Sequence, residues 1–235
     1  EVLNVGPLIA EIVDALASSG SFEMIFVDDG SDDETLNTLT ELMSKHATLR
    51  VLRHEKSMGQ SAAIASGVKA ARAAVIATLD GDGQNDPADL PLLLEKFEEV
   101  DKGPIAFVIV TGHRTKRQDT TIKRLSSRVA NRIRSGLLKD RTPDTGCGLK
   151  VFTRAAFLDM PRFDHMHRYL PALMIRRGGR AVSIPVNHRP RERGTSNYGT
   201  LDRLWVGISD LMGVMWLLRR ASKPDVEEIE ADGNS

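Results

Sequence analysis

The 235-residue sequence holds one cysteine, Cys147, so no internal disulfide can form, and a reducing, cytoplasmic setting is expected. Net charge is also lacking. Lys and Arg number 32, as do Asp and Glu, so the molecule as a whole is no general polyanion binder and no nucleic-acid partner is expected. No stretch reaches the roughly 18 consecutive apolar residues that a membrane span needs. No signal-peptide pattern opens the sequence. There is no G-x-x-x-x-G-K-[ST], which excludes a P-loop nucleotide hydrolase. There is no G-x-G-x-x-G at a strand-to-helix turn, which leaves dinucleotide binding unsupported.

What is present is ordinary in bulk and uneven in detail. Hydrophobic residues make up 41% and charged residues 27%, as in a soluble globular protein. The balanced charge conceals two basic blocks. Residues 112–141 are rich in Lys and Arg against Asp119 and Asp140 alone, and residues 176–193 are rich in Arg against Glu192. Such blocks predict a cationic face for an anionic partner, the alternative being a solvated basic helix.

Residues 4–20 read as a helix, with Leu8, Ile9, Ile12, Val13 and Leu16 at helical spacing. Strand and helix patterns then alternate, which predicts a largely parallel α/β sheet covered on both faces. A fold of this kind usually opens on a strand, whereas this sequence begins inside its first helix. Ligands gather at the carboxyl ends of such strands. Three of these ends carry polar clusters: Asp28-Asp29-Gly30-Ser31, Asp80-Gly81-Asp82-Gly83-Gln84 and Gly112-His113-Arg114. Farther on, 119–138 reads as a helix with Arg124, Arg128 and Arg132 on one face, and 181–188 as a strand leading into an Arg-rich loop. Residues 1–200 are expected to form the main domain. In 201–221, Leu201, Leu204, Trp205, Ile208, Leu211, Met212, Met215 and Trp216 share a helical stripe. That helix suits a membrane interface, a core position or a subunit contact. Residues 222–235 are polar and acidic, and disorder is expected.

The segment "AVIATLDGDGQNDPADL" ends an apolar run in acid. Extended backbone would place Asp80 and Asp82 on one side, and carboxylate oxygens suit Mg²⁺ or Mn²⁺. Such an ion would leave positions for a diphosphate and stabilise it as a leaving group. An EF-hand loop counted from Asp80 would need Gly and Glu where Asn85 and Pro91 stand. An aspartyl-phosphate phosphatase would leave "VDDGS" and the Arg-rich loop unexplained, and a plain surface turn would do the same.

Taken together, "FVDDGSDDET", "MGQSAAIASGVKAARAAVIATLDGDGQNDPADL", "TGHR", "DTGCGLKVFTR" and "RERGTSNYG" resemble family 2 glycosyltransferases. The resemblance is to the dolichol- and polyprenyl-phosphate sugar transferases. It implies a GT-A fold, a nucleotide-sugar donor (UDP over GDP), a divalent cation and inverting transfer to a lipid phosphate. The membrane's inner face would be the working place. By this resemblance Val27 and Asp29 contact the nucleoside, and Asp80, Gly81 and Asp82 face the ribose and diphosphate. Asp80, Asp82 and Gln84 form the metal set. Arg114 and Arg191 match family arginines, and Asn197 stands where the family often has lysine. Glu1 matches the last residue of a "P-x-Y-N-E" segment at the nucleoside pocket. Asp144 is expected to orient the acceptor or act as a base, or else to cap its own turn. A soluble or polysaccharide acceptor, or a silent nucleotide-sugar or membrane-binding module, remains an alternative.

Overall fold

The computed structural model describes residues 2–102, 107–115, 131, 134–190 and 200–220, with side chains from 205 in the last segment. Helix α1 (Val2–Leu16) buries Val5, Leu8, Ile9, Ile12 and Leu16, the stripe that its spacing predicts. Strand β1 (Met24–Asp28) pairs in parallel with β2 (Leu49–Arg53), and helix α2 (Thr35–Met43) joins them. Helix α3 (Gln60–Ala70) leads to β3 (Val75–Thr78). Helix α4 (Leu90–Asp101) follows, its start set by Pro87 and by Asp86, whose side chain accepts from the Ala88 amide at 3.1 Å. Then come β4 (Val108–Arg114), β5 (Lys150–Thr153), α5 (Arg154–Leu158), α6 (Leu170–Arg176), β6 (Arg180–Val186) and α7 (Thr200–Arg219).

The second sheet has the order β3-β5-β4-β6. β4 and β6 are parallel, while β5 runs antiparallel to both β3 and β4. The alternation of strands and helices thus gives the α/β class, but β5 departs from the parallel rule. The glycine-rich turn before it threads the strand back between β3 and β4, where Thr78 donates to the Gly148 carbonyl at 2.7 Å. A second departure is larger. Among the described residues β1 and β2 form a sheet of their own, and the inner edges of β1 and β3 carry no partner strand.

Two apolar clusters make the core. One joins α1, β1, α4 and β4 through Ile9, Met24, Leu93, Phe97 and Val110. The other lies across the sheet, where Phe152 stacks on Phe157 and packs with Leu173, Met174 and Val214. In α7, Leu211, Val214, Met215 and Leu218 join this second cluster. Trp205, Ile208, Met212 and Trp216 instead face outward, at 72%, 40%, 62% and 60% exposure. The stripe foreseen over 201–216 is therefore divided between core and surface. The side chains of Leu201 and Leu204, the body of the 119–138 helix and the 222–235 tail lie outside the described residues.

Ser61 on α3 shares a 2.8 Å hydrogen bond with His167 Nδ1. Burial, with Lys150 and Arg168 nearby, pushes the His167 pKa down to about 3. A free histidine titrates near 6.5. Between those values the unfolded chain takes a proton that the folded chain refuses, so this group's contribution is complete above about pH 6.5 and declines as pH falls. Melting temperature is expected to drop between pH 7 and pH 5 less steeply in His167→Gln than in the parent chain.

Candidate active site

Two acidic strand ends meet across one cleft. It is lined by Val27, Asp28 and Asp29 from β1 and its exit, Gln60 from α3, and Asp80, Gly81 and Asp82 from the exit of β3. The two acidic motifs are thus brought together across a single opening at the carboxyl edge, whereas Gly112, His113 and Arg114 are not among its lining residues.

Asp29 has no spare oxygen. Its carboxylate accepts from the Met58 amide at 2.9 Å, the Gly59 amide at 2.7 Å and Ser57 Oγ at 2.9 Å, and lies 2.6 Å from His54 Nδ1. Burial opposes the charge, but the Met58 amide, His54, Ser57 and Gly59 outweigh it and hold the carboxyl below its usual range. Asp29 therefore fixes the loop that opens α3, and any nucleoside contact is shared with that duty. Val27 packs against α3, where Gly67 provides the room: a Cβ there would lie 3.4 Å from Val27 Cγ2.

Asp80 is anchored from two sides. Gln60 Nε2 donates to its Oδ1 at 2.6 Å, and its backbone amide donates to Asn85 Oδ1 at 3.0 Å. Its carboxylate lies directly over Gly148, where a Cβ would collide with it. Nearby stands Lys150, buried and donating to the Cys147 carbonyl. Burial pushes its pKa down, while Cys147, Asp80 and Asp144 pull the other way. Asp82 is half-buried and accepts from the Gln84 amide at 3.1 Å in a turn that uses Gly83 at φ +74. Asn4 of α1 reaches the Asp82 carbonyl at 3.5 Å.

Arg114, at the end of β4, is held by Asp144 in a two-pronged pair: Nε to Oδ2 at 2.6 Å and Nη2 to Oδ1 at 2.8 Å. Burial works against the guanidinium, but Asp144, with Cys147 and Asp80 adding, keeps its pKa above the ordinary value. Asp144 is therefore the partner that orients Arg114. Of the basic block, Arg134 is likewise engaged, donating to Asp140 at 2.5 Å and to the Thr142 carbonyl at 2.8 Å. Cys147 is fully buried.

The approach of the Arg-rich loop is tied to the same edge. Arg189 bonds Glu11 of α1 at 2.6 Å and Asp86 at 2.8 Å, and its amide donates to the Gln84 carbonyl at 3.0 Å. Asn187 donates twice to Asp89, at 2.7 and 3.1 Å. Arg191, Asn197 and Glu1 lie outside the described residues. The sequence reading missed Gln60, His54, Lys150 and Arg189. Only Gln60 carried a signal, as a polar residue opening a small-residue helix.

The donor set fits a divalent cation. Two carboxylates and the Gln84 amide offer hard oxygens at one strand exit, the chemistry that Mg²⁺ and Mn²⁺ accept while keeping positions for phosphate. Among the described residues no group of three or more His, Cys, Asp and Glu side chains gathers to hold a metal by itself. Gly148→Ala would displace Asp80, so affinity for Mn²⁺ is expected to fall roughly 10–100-fold. Calorimetry on the folded variant checks this.

The sequence model described as "Glycosyl transferase family 2" matches residues 2–160. The chain belongs to glycosyl transferase family 2. It is 32% identical over 231 residues to a dodecaprenyl-phosphate galacturonate synthase from Rhizobium johnstonii, covering 95% of this chain and 66% of that protein. It is 32% identical over 179 residues to an undecaprenyl-phosphate 4-deoxy-4-formamido-L-arabinose transferase from Klebsiella pneumoniae, covering 75% of this chain and 53% of that protein. The chain thus spans about one half to two thirds of the length of these relatives. Among solved structures, a mannosyltransferase from Pyrobaculum calidifontis in complex with GDP-Man and Mn²⁺ superposes with a TM-score of 0.64 at 16% identity, covering 95% of this chain and 63% of that one. A glucosyl-3-phosphoglycerate synthase from Mycobacterium tuberculosis, in complex with Mn²⁺, UDP and phosphoglyceric acid, gives 0.63 at 16% identity, covering 96% and 76%. These likenesses show the GT-A fold of the family 2 chain.

Proposed function

We propose that this family 2 chain transfers a sugar, with inversion, from a UDP-sugar to a polyprenyl phosphate. The observation that carries the reading is the single cleft in which the β1 exit, Gln60 and the Asp80–Asp82 turn face one another. The two polyprenyl-phosphate relatives supply the acceptor class. An acidic sugar suits the density of arginine, and one relative is named for galacturonate.

Held by Asp80, Asp82 and Gln84, Mg²⁺ or Mn²⁺ would neutralise the diphosphate and ease its departure. The chain's own residues do the rest. Asp29 keeps the loop at 57–59 in place beside the nucleoside. Gln60 holds Asp80 still, so little reorganisation accompanies donor binding. Arg114, set by Asp144, offers a fixed positive charge near Asp80. A lipid phosphate is already anionic at neutral pH and needs little help from a base as nucleophile. The demand is to hold two anions close together, which guanidinium groups meet through their planar fork. Arg191 and Asn197 are proposed for the acceptor side of the site.

The outward stripe of α7 is proposed to rest on the cytoplasmic face of the membrane that carries the acceptor. Tryptophans on a helix that ends in Arg219 and Arg220 match the chemistry of an anionic interface. No described helix is long and apolar enough to cross a membrane. Replacing Trp205 and Trp216 together with Glu is expected to weaken binding to anionic vesicles at least about tenfold, with melting unchanged. Vesicle sedimentation measures it.

The deciding experiment incubates the chain with UDP- and GDP-sugars, a short polyprenyl phosphate and Mg²⁺ or Mn²⁺. A lipid-linked sugar formed only with the metal and the lipid phosphate supports the reading. Transfer to soluble acceptors alone would reject it.

A further inference from the structure

Lys150 is a cation in a place that suits an apolar side chain. It opens β5, with Leu149, Val151 and Phe152 beside it in sequence. Its Cα lies opposite Thr78 of β3 on one side and Thr111 of β4 on the other. It is only 3% exposed. Lysine is almost never so fully buried unless paired, because an ammonium taken out of water loses much of its hydration energy. A methionine of similar length would fill the position without that cost.

What offsets the cost comes from the active site. Lys150 donates to the Cys147 carbonyl. Burial works against its charge, while Cys147, Asp80 and Asp144 favour it and Arg114 opposes it. The two carboxylates have other partners. Gln60 donates to Asp80 at 2.6 Å, and Asp144 grips Arg114. Lys150 itself does not line the cleft. The segment it fastens is the floor of the site. A Cβ on Gly146 would come within 3.2 Å of Arg114 Nη2, and a Cβ on Gly148 would strike the Asp80 carboxylate. The Lys150 side chain reaches back to the carbonyl of Cys147, between these two glycines, and closes the turn. Arg114 and Asp80 therefore rest on one short turn, with a buried ammonium beneath it.

We infer that Lys150 is a positioning residue for sugar transfer: its ammonium fastens the 144–148 turn under Asp80 and Arg114 and sets a permanent positive charge beneath the cation site. The catalytic part of this inference rests on the proposed function. One charge has two opposite consequences. It repels Mg²⁺ or Mn²⁺ at Asp80, so the cation is gripped less tightly than the carboxylates alone would grip it. It also attracts the negative charge that develops on the departing nucleoside diphosphate. Being fixed in the interior, it does so with little screening and little reorganisation.

Three variants separate charge from shape. Lys150→Met removes the charge and keeps the length, Lys150→Gln keeps a donor for the Cys147 carbonyl, and Lys150→Arg keeps the charge. Calorimetry reads Mn²⁺ affinity with no donor or acceptor present, and kcat is measured with a UDP-sugar and a polyprenyl phosphate. In both neutral variants Mn²⁺ is expected to bind at least about threefold more tightly, while kcat falls at least about tenfold. Lys150→Arg is expected to return both towards the parent values. The melting temperature of Lys150→Met is expected to match or exceed the parent's, because an apolar replacement that strands no charged partner is often neutral or stabilising. Mn²⁺ binding unchanged or weakened in the neutral variants overturns the inference, and so does kcat at the parent rate. Failure of both neutral variants to fold overturns it too, since the lysine would then be structural. A parent chain that binds Mn²⁺ but transfers no sugar defeats the proposed function instead, and the calorimetry still decides whether Lys150 weakens the cation's grip.

Discussion

Asp82→Ala is expected to lower metal-dependent sugar transfer by about a thousandfold, or roughly 4 kcal/mol of transition-state stabilisation. The size follows from where charge develops. A leaving nucleoside diphosphate accumulates negative charge at the strand exit, and Asp80 and Asp82 are the carboxylates there that can hold a neutralising cation. Asp80 alone is a poor substitute, because one of its oxygens is already engaged by Gln60. Asp82 is half-buried and shapes its own turn through the Gln84 amide. Stability is therefore expected to change little, and the loss should appear in kcat with the fold intact. Titration with Mn²⁺ checks the assignment. Transfer at near the parent rate and unchanged metal dependence would remove Asp82 from the reaction.

The second large effect is expected in stability. Asp144→Ala leaves the Arg114 guanidinium without its partner at a position where the two side chains are only 15% and 6% exposed. Removing one member of a buried pair is destabilising by about 3–5 kcal/mol. Denaturant unfolding should show that loss. Activity should fall too, because Arg114 would no longer be held at the end of β4. Asp144→Asn keeps the shape and one acceptor, so it should recover part of the stability. A catalytic base would behave differently: its loss would abolish turnover with folding untouched.

The site was legible where chemistry follows directly on a strand. Asp28-Asp29 and Asp80-Gly81-Asp82 announce themselves because apolar runs stop there in acid and glycine, and the structure gathers both at one cleft. What sequence could not reveal depends on partners distant along the chain. Asp29 is claimed by residues nearly thirty positions away. Asp144 meets Arg114 across thirty. Lys150 sits in an apolar strand pattern, and only the fold shows that it lies near Asp80 and Asp144. The direction of β5 was not legible, since direction is decided by which neighbours accept its edges. The stripe on α7 was legible as apolar, while its division between core and surface depends on how α7 is rotated against the cluster of Phe152 and Met174.

Arg189 has a mechanical consequence. Its side chain joins α1 to Asp86, and its backbone grips Gln84. It also stands two positions before Arg191. A shift of Arg189 is therefore carried to the turn that bears Asp82 through two side-chain ion pairs and a backbone bond rather than through a slack tether.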